Sequence, residues 1–475
     1  MGMISMIPFG LLAGFAEFEK NAEKEIRIIG IEEERFCFRL AEWKINPSAF
    51  RLCFYEMEKK AYREIKITDF EIEKICGEEF WTEIFVRVKS LPEFRDAVQK
   101  LIIQYDRYIR LKLECSEAEV SKALMGYPAE LDEIHTGSLR EQKNRWFGEA
   151  EYGYGQDQDQ KLELALELDQ PCLYERYLDN PIEELTRLYW RENGLENFCL
   201  ASDYPDRLYI GNAFCPLLFP ETEILMQILD KMKAESLGIT LVFSYLRQEK
   251  IEEFESLLDA LETWCRKNRE HIEIAVNDWA AADLVRKRTE YLSPCLGILL
   301  NKRRKDPRGR YQQKQFQQIQ EIYQIQKNQQ NNVYAEFYRE FLREKFGIQR
   351  YEWESVSGLP ESSFPGSHNS LHFPFYQTNT SQYCTLYAGC VHGDRGKQTL
   401  VTDCPKFCTR FAYLYPEHLK MVGRGNSLFG FDDRILQDLQ DSRDHKTHHT
   451  DKINKAHTIP DGIDRLVVNL MEAGE

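Results

Sequence analysis

The residues best suited to chemistry are cysteines gathered in one stretch, QYCTLYAGCVHGDRGKQTLVTDCPKFCTRF. Three residues separate Cys404 from Cys408, thirteen separate Cys390 from Cys404, and nineteen separate Cys384 from Cys404. The chain between them is rich in Gly and polar residues and is expected to be a loop. Thiolates on one flexible segment can converge on a soft metal without long-range strain. Spacing leaves three chemistries open. Structural zinc usually shows two tight C-x-x-C pairs, which this chain lacks. A metal-free redox disulfide is the second. The third is an iron–sulfur cluster, although a single C-x-x-x-C matches no common ferredoxin run. Cys37, Cys53, Cys76, Cys115 and Cys172 are scattered singly through the first half and read as small buried hydrophobes.

Hydrolytic signatures are missing. The sequence holds no G-x-S-x-G and no H-E-x-x-H. Cys390 and His392 are too close along the chain to serve as nucleophile and base. Residues 441–457, DSRDHKTHHTDKINKAH, carry His445, His448, His449 and His457. Their flanks are wholly polar, so a solvated tail is expected.

The elements that must hold the cysteines begin near residue 200, where strand and helix alternate. DRLYIGNAF, ITLVFSYL, IEIAVND and CLGILLN read as strands; ETEILMQILDKMKAESLG, KIEEFESLLDALETWCRKN and AAADLVRKR read as the helices between them. Gly238 is the expected C-cap of the first helix. GIQRYEWES, LHFPFYQTN and LKMVGRGN complete the series as further strands. Continuous apolar strands alternating with helices imply βα units around a buried parallel sheet. The predicted fold is therefore α/β, an incomplete or irregular TIM-like βα barrel over about 196–435. Functional residues should follow the strands' C-terminal ends. RYQQKQFQQIQEIYQIQKNQQNN, rich in Gln, reads as a surface helix inserted in a βα loop, with a partner-binding helix as the alternative.

Residues 1–150 form a separate β-rich module with a packed helix. EIRIIGI, RFCFRLAEW, FRLCFYEM, REIKITDF and EIFVRVK alternate as half-buried strands do, and PEFRDAVQKLIIQYDRYIRLKL follows with helical spacing. A cyclic-dinucleotide site there would call for paired arginines beside a D/N-x-S-x-x-G run, which is absent. An acidic, Gly- and Gln-rich connector is expected over 151–195, and a polar tail over 436–475.

The whole chain, 475 residues with 43% hydrophobic content, can bury a sizeable core. Its net charge of -16 disfavours a general nucleic-acid binder, because a phosphate backbone would be repelled. No apolar run is long enough to span a membrane. The opening MGMISMIPFGLLAGFAEFEK lacks the positive start and cleavage site of a signal peptide, and Met6 stands where a myristoylation signal wants Ser or Thr. A cytoplasmic protein is expected.

From residue 200 to 435 the series resembles peptidase family U-32, the collagenase-like family. It is most similar to the iron–sulfur members that act in oxygen-independent hydroxylation for ubiquinone biosynthesis. LYIGNAFC matches the family's strand ending in Gly-x-x-x-Cys, at Gly211 and Cys215. EIAVND supplies Asn277 and Asp278 at a second strand end, and GIQRYEWES supplies Gly347, Arg350 and Glu354. A Cys then precedes CPKFC, and LKMVGRGNSLF follows. The resemblance implies a 4Fe–4S cluster held by Cys215, Cys404, Cys408 and either Cys384 or Cys390. Cys384 is preferred because it ends a strand directly. A structural zinc remains the alternative cofactor. The resemblance also implies a small anionic substrate, which Asn277, Asp278, Arg350 and Arg308 of the basic run Lys302–Arg310 could bind. That run equally reads as a solvated loop, and it is the patch best able to meet RNA. A protein partner or heterodimer, a peptidase or maturation factor, and a non-catalytic scaffold are the further alternatives. No catalytic residue transfers from the family.

Overall fold

The structure is a computed structural model. It describes residues 11–18, 22–40, 47–56, 61–77, 82–89, 91–114, 130–133, 162–193, 204–302, 331–355, 364–397, 399–415, 420–431 and 462–469, with residues 3–5, 7, 141, 195 and 202. Arg308, the Gln-rich segment and the four tail histidines lie outside the described residues. The chain divides into two compact units, with the boundary between Ala129 and Glu130.

The first unit is an antiparallel sheet of β1 (Ile4–Ser5), β2 (Leu12–Phe18), β3 (Ala22–Ile31), β4 (Arg35–Leu40), β5 (Ala49–Glu56), β6 (Ala61–Ile67), β7 (Phe70–Gly77) and β8 (Thr82–Val88). Its order is β6-β5-β2-β3-β4-β8-β7, with β1 added to β3. Thr82, Ile84, Val86 and Val88 are buried while the residues between them are not, the period of two that a one-sided sheet requires. The helix Pro92–Glu114 places Phe94, Val98 and Leu101 in the same core as Phe36, Phe38 and Phe50.

The second unit is a closed barrel of eight parallel strands. They are β10 (Glu163–Leu168), β11 (Arg207–Gly211), β12 (Gly238–Phe243), β13 (Ile272–Val276), β14 (Leu292–Leu296), β15 (Arg350–Glu354), β16 (His368–Thr380) and β20 (Arg465–Asn469). β20 pairs with both β10 and β16, and β15 pairs with β16, so the ring has no open edge. The barrel is thus complete, and it begins and ends outside the 196–435 span expected for it. The missing strands lay in the expected connector and tail.

Helices cover the outside. Thr222–Ala234 buries Leu225, Ile228, Leu229 and Met232, one face of a 3.6-residue period. Its left-handed residue is Ser236, while Gly238 opens β12, because the chain turns two residues earlier than the glycine suggested. Beyond Pro374, β16 leaves the barrel and pairs antiparallel with β19 (Ser427–Phe431). β18 (Met421–Arg424), β17 (Phe411–Leu414) and β9 (Glu130–Glu133) extend this sheet, so LKMVGRGN belongs to an antiparallel hairpin rather than to the barrel.

The barrel interior is charged. Arg465, 1% exposed, bonds Glu163 and Glu273 at 2.6 Å each and the Tyr209 hydroxyl at 2.9 Å. Tyr209 reaches Glu352, which accepts from His372 Nε2 at 2.8 Å. Among the described residues no helix is long and apolar enough to cross a membrane.

Candidate metal centre

The site is built where the parallel strands end. β11 closes on Gly211, whose φ of 117° suits only glycine; an added Cβ would lie 2.3 Å from the Val242 carbonyl. The chain then turns over Asn212, whose Oδ1 accepts from the backbone N–H of Phe214 and of Cys215, each at 2.9 Å. This side-chain turn fixes Cys215 just past the strand.

Cys384 caps the helix Thr385–His392, its Sγ accepting from the Tyr387 N–H at 3.3 Å. The Lys406 N–H reaches Cys404 Sγ at the same distance. Cys408 packs against the two-residue turn between β18 and β19. There Gly425 adopts φ 58°, and a Cβ on it would stand 3.6 Å from that of Cys408.

Asn426 ties these loops together. Its Nδ2 donates to the carbonyls of Phe214 and Ser381, both at 2.7 Å, one in each cysteine-bearing loop. Arg424 is buried beside them, donating to the Cys408 carbonyl and to Asp169 and Gln170. The sequence analysis named neither Asn212, Arg424 nor Asn426. A lone polar residue has no spacing that marks it; only the LKMVGRGNSLF match ran through this turn.

Cys215, Cys384, Cys404 and Cys408 line one cavity of about 740 Å³, counted out to its open mouth. Its walls include Phe214, Leu218, Tyr245, Phe407 and Phe429. Burial, and then the neighbouring thiols, push Cys384 up to about 12. Burial also raises Cys215 and Cys408, with the Arg424 charge pulling the latter back. Without a metal these three sulfurs hold their protons, so loading would release them. Among the described residues no group of three or more His, Cys, Asp or Glu is gathered so as to hold a metal ion.

A mononuclear ion needs every sulfur about 2.3 Å from one centre. A polynuclear cluster gives each thiolate its own iron and so spreads the ligands apart. The donor set, four thiols and no carboxylate among them, fits the second geometry.

The other expected site residues lie elsewhere. Cys390 sits in the helix Thr385–His392 and does not line the cavity. Asn277 is buried, donating to the Phe243 carbonyl at 2.8 Å and accepting from the Leu299 N–H at 2.9 Å. Asp278 caps the next helix through the N–H groups of Ala280 and Ala281. Arg350 points into the barrel, toward Ser370 and Asp464. None of these three lines the cavity.

No family model matches the chain, and no curated protein matches it. Among solved structures it is similar to YcgR in complex with c-di-GMP from Escherichia coli, at 16% identity, over 24% of this chain and 48% of that one, with a TM-score of 0.19. The Bacillus subtilis inhibitor of motility MotI/DgrA gives 13% identity, 22% and 52% coverage and a TM-score of 0.19. The chain thus spans about half the length of either protein. Likenesses of this extent carry nothing about the fold or function of this chain.

Proposed function

We propose that the barrel mouth binds a 4Fe–4S cluster through Cys215, Cys384, Cys404 and Cys408. The chain would then be an iron–sulfur protein of the U-32 type, supporting oxygen-independent hydroxylation or a related modification of a small molecule or RNA. One observation carries the proposal: thiols from segments some 170 residues apart line a single cavity at the strands' C-terminal ends. That is where βα barrels place their chemistry.

When bound, a cluster would supply one-electron redox chemistry. The chain's own residues prepare the place. Backbone N–H groups already point at two of the sulfurs, the kind of donor that tunes a thiolate ligand. Aromatic and aliphatic walls keep water from the sulfurs on the inner side. The apolar surroundings and the size of the cavity favour a cluster over zinc. The described cysteines are all free thiols, which suits a reducing, cytoplasmic setting.

Single Cys-to-Ser variants test the ligand set. In anaerobically prepared protein, C215S, C384S, C404S and C408S should each lose most of the iron, and C390S should retain it. Iron lost from C390S but kept in C384S would reverse the assignment.

A further inference from the structure

Arg247 follows β12 and lines the cavity together with the four cysteines. One Nη donates to the Val401 carbonyl at 2.8 Å, which joins the β12 loop to the segment bearing Cys404. The guanidinium lies 6.0 Å from the centre of the Tyr245 ring. Its Nε is buried and has no acceptor in the protein. No carboxylate pairs with Arg247 among the described residues. Arg424, the other arginine on the cavity wall, differs: Asp169 offsets its charge.

A buried, charged N–H without an acceptor loses its hydration and gains nothing in return. Native proteins seldom leave such a donor unfilled, so its acceptor is expected in whatever fills the cavity. The Arg247 charge also acts on the Cys215 sulfur, favouring the thiolate. Four thiolates on a cubane carry about two net negative charges, and about three after reduction. Adding an electron to a buried anion is opposed by its surroundings, and a fixed cation lessens that opposition.

We propose that Arg247 is a positioning residue for the bound cluster, its Nε–H donating to sulfur on the Cys215 side and its charge raising the reduction potential. This rests on the cluster assignment above. The iron content of the wild-type protein decides that assignment separately.

The test compares full-length wild type with R247Q and R247K, all prepared anaerobically. Iron content is measured first, and then the midpoint potential by a redox titration followed in the visible spectrum. R247Q should hold iron as the wild type does and titrate at a lower potential. R247K keeps the charge and should shift less. If R247Q loses iron while R247K retains it with a near wild-type potential, the charge is what holds the cluster, and the proposal stands. An unchanged potential in an iron-replete R247Q overturns it. Loss of iron from both variants also overturns it, because the bond to Val401 would then be the residue's whole role.

Discussion

Asn277 shows how a motif residue can serve the fold. Its side chain links the end of β12 to the turn after β14, with both of its polar ends engaged. Replacing it with Ala leaves a buried carbonyl and a buried N–H unpaired, at about 1–3 kcal/mol. N277A should lower the urea midpoint by that amount and leave iron content unchanged. A stable variant with altered ligand binding would return Asn277 to the substrate site. Asn426 differs because it holds two cysteine loops at once. N426A should cost a similar amount and lower iron retention as well, measured by iron assay after gel filtration. The cysteines were legible in the sequence because soft ligands are few and their spacing is visible. Asn212, Asn426 and Arg247 act through single hydrogen bonds, and no sequence period marks those.

The strands differ in how plainly the sequence declares them. GITLVF and IEIAV are continuous apolar runs because both faces are covered. ELALEL is less plain: its glutamates enter a charged barrel interior, so β10 looks like part of an acidic connector. β20, five residues beyond a polar stretch, has no helical neighbour in sequence to announce it. The same polar interior sets a pH dependence. Burial alone would depress the His372 imidazole, but the carboxylates of Glu167 and Glu352 outweigh it and raise it to about 10. The folded value lies above the unfolded one near 6.5. Its stabilising contribution is therefore full below about pH 6.5 and is lost as pH rises toward 10. H372Q should flatten the decline in unfolding free energy between about pH 7 and pH 10. An unchanged slope would mean that the imidazolium is not buried between those carboxylates.

For the whole molecule, closure of the barrel depends on its last strand. β20 fills the gap between β10 and β16 and brings Arg465 to Glu163 and Glu273. Ending the chain before residue 462 would expose two strand edges and strand buried carboxylates. Such a truncation should aggregate or lose cooperative unfolding, seen by circular dichroism on heating. A soluble, cooperatively folded product would contradict a closed barrel. The cysteine cavity stands at the mouth of this ring, and the central claim is that it holds iron and sulfide. The most direct measurement is metal and sulfide analysis of anaerobically purified full-length protein, with its absorbance spectrum. About four irons and as many sulfides per chain, with a band near 400 nm that bleaches in air, is the predicted result. Colourless protein with stoichiometric zinc, or without metal after anaerobic reconstitution with iron and sulfide, would contradict it.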